Sequence, residues 1–331
     1  MKIYILYNNF RTLGGAQQCS IELGRQLLNK NNKIIALTNT PLNKIHNYNK
    51  KDNVTFKKFS LWNLLRIKKE DLIFCNDRKL TSLYVAFLFF TFRKRTSFYI
   101  ARNTYENKRL LSFFPKKIVA ISSGVKDNLI SYFHINPDRI TIINDSCIDK
   151  FSIYKRKTEK NNYIKILFPA NITKVKRQVE FVTALKNKIK PNIKIDFAGE
   201  GPLKKKLIKV IGNSNQFKVL GYINVFAALP DYDYVCMFSV NEGLGISLIE
   251  GCMFYKPLIT NNIKSVLEVN KPGYNGFVAN NFRDLVDVIN NLPDRNSDEY
   301  KRLAKNARKI YEKSFTPDIM LKKYRAMINN L

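Results

Sequence analysis

Two carboxylates in a Glu-x7-Glu spacing, Glu242 and Glu250, stand in the stretch Phe238 to Cys252. A strand-like apolar run ends there, Gly243 and Gly245 flank Leu244 in a turn, and an apolar helical pattern begins near Ile246. Exposed glycine N–H groups donate to phosphate, and carboxylates accept from hydroxyls. A ligand carrying both groups fits such a loop. Glu242 alone could simply be a charge near a helix start, stabilising by about 0.3–1 kcal/mol through the helix dipole. Glu250 is different, because its neighbours Ile246, Leu248, Ile249, Cys252 and Met253 are apolar and a carboxylate among them needs a partner or a ligand.

Two further loops carry suitable groups. Pro169 to Gln178 includes Asn171, Lys174, Lys176 and Arg177 between a strand-like run and a helical pattern. Three cations within four residues suit a diphosphate, which Lys meets as a point charge and Arg grips bidentately, and a solvated basic turn would look the same. After the first apolar run, Gly14-Gly15 opens a helical pattern. The pair allows close approach to an anion, or a plain tight turn. It matches neither Gly-x-Gly-x-x-Gly nor the P-loop spacing.

The elements that must hold these loops are read from periodicity. Short apolar runs ending in Gly, Asn or Asp alternate with helical patterns, the mark of parallel α/β units. Expected strands are 2–7, 33–38, 54–56, 72–75, 97–101, 117–121 and 140–143, with a helix over 16–29. The pattern pauses over 149–162, a candidate linker. It resumes with strands at 164–168, 193–198, 217–219, 234–238, 257–260 and 276–278, helices near 178–188 and from Pro202, and a final helical stretch over 298–331 broken at Pro317. At 331 residues the chain is long for one domain, and two consecutive open α/β domains follow, with ligands expected at the carboxyl ends of the strands in the cleft between them.

Lys and Arg number 57 against 26 Asp and Glu, a formal charge of +31, which favours an anionic partner. The excess is spread over both halves, without the long like-charge blocks of a nucleic-acid tail. Five scattered cysteines and two distant histidines argue against a zinc cluster or a disulfide framework. The first apolar run is too short for a signal peptide, which places the chain in the cytoplasm. Leu83 to Phe92 is far shorter than the roughly 20 residues that cross a bilayer. With Arg93-Lys94-Arg95 behind it, it reads either as a buried helix or as an aromatic, basic-flanked helix resting on an anionic lipid surface.

Taken together, these residues resemble the retaining glycosyltransferases of family 4 (group 1 glycosyltransferases). The resemblance covers nearly the whole chain. Its most specific part runs from Ala228-Leu229-Pro230-Asp231-Tyr232-Asp233-Tyr234 through Glu242 and Glu250 to Lys256-Pro257-Leu258-Ile259-Thr260, Glu268 and Asn275-Gly276-Phe277-Val278. Gly14-Gly15 resembles the family's N-terminal glycine loop, Ala198-Gly199-Glu200-Gly201-Pro202 its Gly-x-Gly-Pro turn, and Val119-Ala120-Ile121-Ser122 its strand ending in Ser. Lys176 falls on the family's diphosphate-binding Lys. The Arg often found five residues earlier is here Asn171, and the His of many relatives on the N-terminal domain is replaced at the end of the strand Ile100-Ala101 by Arg102 or Asn103.

The resemblance implies an α/β GT-B fold, two Rossmann-like doubly wound domains facing a central cleft. Residues 1–155 would form the acceptor-side domain, 156–315 the nucleotide-sugar donor domain, and 316–331 a C-terminal helix returning to the N-terminal domain. It implies transfer of a sugar from a nucleoside diphosphate donor, UDP-sugar favoured over GDP-sugar, to a hydroxyl of a glycan or lipid-linked acceptor with retained configuration, as in surface polysaccharide or lipopolysaccharide synthesis. Glu242, Lys176 and Arg102 are the implied catalytic residues. The donor would meet Gly14, Gly15, Asn171, Lys174, Lys176, Arg177, Gly243, Leu244, Gly245 and Glu250. No metal or other cofactor is implied, and Asp231-Tyr232-Asp233, despite its Asp-x-Asp spacing, is read as structural. An anionic membrane surface is the further expected partner, giving a peripheral position on the inner face of the cell membrane. A nucleotide-sugar epimerase or hydrolase of the same fold is the alternative, and a basic nucleic-acid-binding protein a remote one, so no nucleic acid is expected.

Overall fold

A computed structural model describes residues 2–11, 15–27, 33–45, 54–154 and 163–329. The chain forms two compact units, one of residues 1–145 with 320–331 and the other of residues 146–319. The boundary read at 155/156 and the second half of the expected linker lie outside the described residues, as does Gly14.

In the first unit, strands β1 (Ile3–Leu6), β2 (Ile34–Thr38), β3 (Val54–Lys58), β4 (Leu72–Cys75), β5 (Thr96–Ala101), β6 (Lys117–Ala120) and β7 (Ile140–Ile142) make one parallel sheet. Its order is β3-β2-β1-β4-β5-β6-β7. The central strands β1, β2 and β4 are buried throughout, which is why they read as unbroken apolar runs rather than alternating ones. The edge strand β3 keeps only partial burial and ends in Lys57-Lys58.

Helices α1 (Gly15–Leu27), α2 (Leu61–Leu65), α3 (Arg78–Phe90) and α4 (Ser123–Ser131) complete the unit up to residue 145. Asp77 caps α3 by accepting from the Leu80 amide at 2.9 Å, and Ser122 caps α4. Leu80, Tyr84 and Phe87 turn one face of α3 into the core. Leu83, Phe89 and Phe90 remain exposed, so this helix is neither wholly buried nor wholly amphipathic.

The second unit holds strands β8 (Ile164–Pro169), β9 (Ile193–Ala198), β10 (Phe217–Gly221), β11 (Tyr234–Met237), β12 (Leu258–Asn261) and β13 (Gly276–Ala279), all parallel. Their order is β10-β9-β8-β11-β12-β13. Helices α5 (Gln178–Leu185), α6 (Lys204–Ile211), α7 (Val225–Ala228), α8 (Ile246–Met253), α9 (Phe282–Asn290) and α10 (Asp298–Ser314) accompany it. Phe168, Phe181, Phe197 and Phe238 build its aromatic core, with Phe168 and Phe181 edge to face at 5.4 Å. The expected helix over 178–188 stops at Leu185, because Lys186 turns extended and its ammonium donates to the Val210 carbonyl at 3.0 Å.

The final helix, α11 (Pro317–Asn329), starts at the proline, whose missing N–H costs nothing at a helix start. From Met320 it belongs to the first unit, where the Tyr324 ring meets Phe74 edge-on at 6.1 Å.

The first half of the expected linker is not loose. Asp149 is ion-paired with Arg308, the Phe151 ring lies 4.9 Å from that of Tyr255, and the Lys150 ammonium sits 4.3 Å from the Phe226 ring centre. These contacts reach far along the chain and leave no local period, so the segment reads as linker.

Candidate functional site

In the sheet of the second unit, β8 is flanked by β9 on one side and β11 on the other, so the chain reverses its direction of progress across the sheet at β8/β11. Such a reversal leaves a crevice beyond the carboxyl ends of the two strands, where open α/β sheets take ligands. The loops that leave β8 and β11 are the two basic and acidic stretches singled out from the sequence. The Val240 amide donates to the Val175 carbonyl at 2.7 Å, and the Ser247 hydroxyl on α8 donates to the Pro169 carbonyl at 2.9 Å, so the loops are tied to each other.

At their meeting point the Lys176 ammonium donates to Glu242 Oε1. The Ser239 hydroxyl donates to the same oxygen at 2.6 Å, and the Ser265 hydroxyl donates to the Glu242 carbonyl at 2.6 Å. Asn261, at the end of β12, donates to the Ser239 carbonyl at 2.7 Å. The Glu242 side chain keeps 9% of its surface exposed and that of Lys176 22%, so the ammonium remains the more accessible partner. A cation pinned on one side and open on the other can receive an anion without reorganising.

Gly243, Leu244 and Gly245 are buried at the start of α8. Gly245 has φ +83°, a conformation that side chains rarely adopt, and a Cβ there would lie 3.0 Å from Leu248 Cδ1. Glycine therefore sets how the chain enters the helix. In the neighbouring Gly-x-Gly-Pro turn, a Cβ on Gly199 would meet the Ala170 carbonyl oxygen at 2.2 Å, so this glycine brings the turn after β9 against the backbone of the basic loop.

Glu250 lies on α8, one turn beyond that start. Burial drives its carboxyl pKa up to about 7, with the charge of Lys150 pulling the other way. Helix α8 thus carries a carboxylate whose ionisation the protein only partly compensates.

The remaining sequence candidates stand in different local settings. Asn171 and Lys174 are exposed on the β8 loop. Arg177, in contrast, lays its guanidinium 4.4 Å from the Phe282 ring centre and 5.6 Å from that of Phe238, so it packs on rings rather than standing free. Gly15 begins α1 in the first unit, and Gly14 is outside the described residues. Asp233 accepts from the Lys165 amide at 2.9 Å while Tyr232 donates to Asp196 at 2.7 Å, so the side chains of Tyr232 and Asp233 brace strands.

Arg102 belongs to the first unit and is buried at the end of β5. It donates from Nε and Nη2 to the two oxygens of Asp145 at 2.8 and 3.0 Å, and from Nη1 to Asn76 at the end of β4. Burial works against its charge, but the Asp145 carboxylate outweighs that and holds its pKa above the ordinary value. Arg102→Lys keeps the charge and loses the planar fork; the expected cost is about 1–3 kcal/mol in a urea unfolding experiment. An unchanged midpoint would show that the pair does not hold the strand ends.

Ser239, Asn261, Ser265 and Lys150 were not singled out as site residues. Ser239 follows β11 by two residues and Asn261 ends β12, positions at the carboxyl edge of the sheet that a strand reading could have flagged. Lys150 carries no such signal.

Residues 149–310 match the family described as glycosyl transferases group 1. The putative glycosyltransferase EpsD of Bacillus subtilis (strain 168) is 28% identical over 120 residues, which cover 34% of this chain and 31% of that protein. The match thus spans about a third of the length of that curated relative. Among solved structures, HepE of Anabaena in complex with UDP has a TM-score of 0.83 at 17% identity, covering 100% of both chains. The lipopolysaccharide outer core galactosyltransferase WaaB superposes with 0.77 at 16% identity, again over 100% of both chains. A glycosyltransferase from Rickettsia africae gives 0.79 at 18% identity, over 98% of this chain and 97% of the other. Residues 149–310 are thus similar to the glycosyl transferases group 1 family, in a chain whose two Rossmann-like units have the GT-B fold.

Proposed function

We propose that the protein is a retaining glycosyltransferase of family 4, moving a sugar from a nucleoside diphosphate sugar, UDP-sugar before GDP-sugar, to a hydroxyl of a glycan or lipid-linked acceptor in surface polysaccharide synthesis. The observation that carries this reading is the Lys176–Glu242 contact beside the buried start of α8, at the crevice of the second sheet. HepE has been solved with UDP, with UDP and glucose and with UDP-glucose, and WaaB is a lipopolysaccharide galactosyltransferase, which supports the donor and acceptor classes.

In this reading Lys176 and the N–H groups of Gly243 and Leu244 face the diphosphate, Glu242 the donor-sugar hydroxyls and Glu250 the ribose hydroxyls. Asn171 and Lys174 add donors on the β8 loop, and Arg177 shapes that loop by packing on Phe282 and Phe238. As the bond from the anomeric carbon to the phosphate oxygen breaks, negative charge gathers on the leaving diphosphate, which the fixed ammonium and amides stabilise. The acceptor oxygen bonds to the same face of that carbon, and its proton passes to the departing phosphate oxygen. Glu242, already holding Lys176 and Ser239, orients the sugar rather than attacking it. Arg102, locked by Asp145, is a positioning residue.

The test is thermal stabilisation by UDP, GDP and CMP with Glu250→Ala in parallel. At a hundredfold excess of nucleotide over Kd, binding adds about 2.7 kcal/mol, a shift of several degrees. UDP should stabilise the wild type most and leave Glu250→Ala unmoved. Equal or absent responses to all three would remove the donor assignment. The anomeric configuration of a product made from a UDP-sugar and a simple glycoside, read by NMR, decides retention.

A further inference from the structure

We propose that the first unit docks on anionic phospholipid bilayers through the outer face of α3 and the turn that follows it. In a helix, residues separated by three, four, seven and eleven positions return to one face. Lys79, Leu83, Ala86 and Phe90 have that spacing, and the core takes a neighbouring face through Leu80, Tyr84 and Phe87. The solvent face of α3 is therefore apolar along most of its length, where a surface helix ordinarily carries charges.

The exposure grows toward the carboxyl end. Leu83 is 50% exposed, Phe89 74%, Phe90 77% and Phe92 93%. The rings of Phe89 and Phe90 stand edge to face at 5.6 Å and shield each other only in part. Beside this face runs a second apolar segment: the Phe113 amide donates to the Ser82 hydroxyl at 3.0 Å, and Leu110 and Leu111 stand 85% and 70% exposed just before it. A cluster of exposed aromatic and aliphatic groups this dense marks a docking surface.

The charges beside it choose the occupant. Arg93, Lys94 and Arg95 follow the aromatics directly, and no Asp or Glu occurs between Asp77 and Glu106. Arg93 and Arg95 are anchored by donating to the carbonyls of Leu65 and Ile67 at 2.9 and 3.1 Å, so the turn is held in place and Lys94 is left exposed. A second copy of the chain would bring the same basic face against itself, and the net charge of +31 adds to that repulsion. An anionic bilayer supplies both what the aromatics and what the cations need, shallow acyl contact and headgroup phosphate. The 13 residues of α3 reach about 20 Å, short of the hydrocarbon thickness, and among the described residues no helix is long and apolar enough to cross a membrane. The helix lies on the surface.

Co-flotation with vesicles of phosphatidylcholine containing about a third phosphatidylglycerol tests this, with pure phosphatidylcholine beside them. Wild type is expected to bind the anionic vesicles at least about tenfold more strongly than the neutral ones, and to be released by 0.5 M salt. Phe89→Ser/Phe90→Ser/Phe92→Ser and Lys79→Glu/Lys94→Glu should each lower the bound fraction about tenfold or more. All these side chains are exposed, so thermal midpoints and nucleotide stabilisation should stay at wild-type values, which separates loss of docking from loss of the donor site. The proposal is overturned if wild type does not bind, if it binds neutral vesicles as well, or if either variant binds like wild type. A wild-type dimer that the phenylalanine variant splits, with no vesicle binding, would assign the face to a second copy instead.

Discussion

Lys176→Met should lower kcat for sugar transfer by about 10²–10³-fold, with a smaller change in KM for the donor. The ammonium is held by Glu242 before any ligand arrives and keeps about a fifth of its surface open, so no ordering cost falls on the reaction step. Its attraction grows as charge moves onto the departing diphosphate, and an interaction that strengthens in the transition state appears in kcat. Loss of one such preorganised donor typically removes about 2.7–4 kcal/mol of transition-state stabilisation. The substitution also leaves the largely buried Glu242 carboxylate with Ser239 alone, so the apo protein should lose stability as well. Steady-state rates with a UDP-sugar and urea unfolding of the free protein separate the two. If kcat falls less than about fivefold while stability drops, Lys176 is a structural partner of Glu242 and the diphosphate is met elsewhere. Lys176→Arg, which keeps the charge in a bulkier and flatter group, should recover part of the rate.

That prediction depends on two loops meeting, and the sequence shows the loops without showing the meeting. Parallel strands buried on both faces are written as plain apolar runs, so β1, β2, β4, β8 and β11 are legible from composition, and their alternation with helices gives the α/β fold class. Pro317 is equally plain, because a proline fits at the first position of α11 and nowhere inside it. Pairing is less visible. Arg102 and Asp145 are 43 residues apart, and the Lys176–Glu242 contact spans 66 residues; neither leaves any period or spacing in the chain. Arg177 illustrates the same limit. Counted as a third cation for a diphosphate, it rests on Phe282, more than a hundred residues away, and only the packing of α9 beside that loop decides it. Asp149 to Ile153 reads as linker because aromatic and cationic contacts fix it, and such contacts have no helical or strand rhythm. Glu250 was legible because the conflict is local: a carboxylate surrounded in sequence by apolar residues announces its own desolvation.

That conflict sets the second large effect. Glu250→Gln should weaken UDP binding by about 10–100-fold at pH 8 while making the free protein more stable by about 1–3 kcal/mol at the same pH. In the free protein burial lifts the Glu250 pKa from 4.5 to about 7, Lys150 opposing, so the neutral carboxyl is the form the fold prefers. A raised carboxyl pKa contributes stability that is complete below about pH 4.5 and is lost as pH rises to about 7. Relative to Glu250→Gln, wild type should therefore lose stability across that interval and stay level above it. Ligand binding runs in the opposite sense. Ribose hydroxyls donate, and an ionised carboxylate accepts from both more strongly than a carboxyl or an amide, whose NH₂ half is itself left without an acceptor. The ratio of wild-type to variant affinity for UDP should rise from pH 6 to pH 8, and taking the ratio cancels the titration of the nucleotide's own phosphate. Calorimetric titration at the two pH values, with thermal unfolding of the free proteins, measures both halves. A variant that binds UDP as well as wild type would remove Glu250 from the donor site. One that loses UDP binding without gaining stability would place the carboxylate in a solvated pocket, and the burial argument would be wrong. The combination expected here, a residue kept at the expense of the fold because it meets the ligand, is the signature of a binding group rather than a structural one.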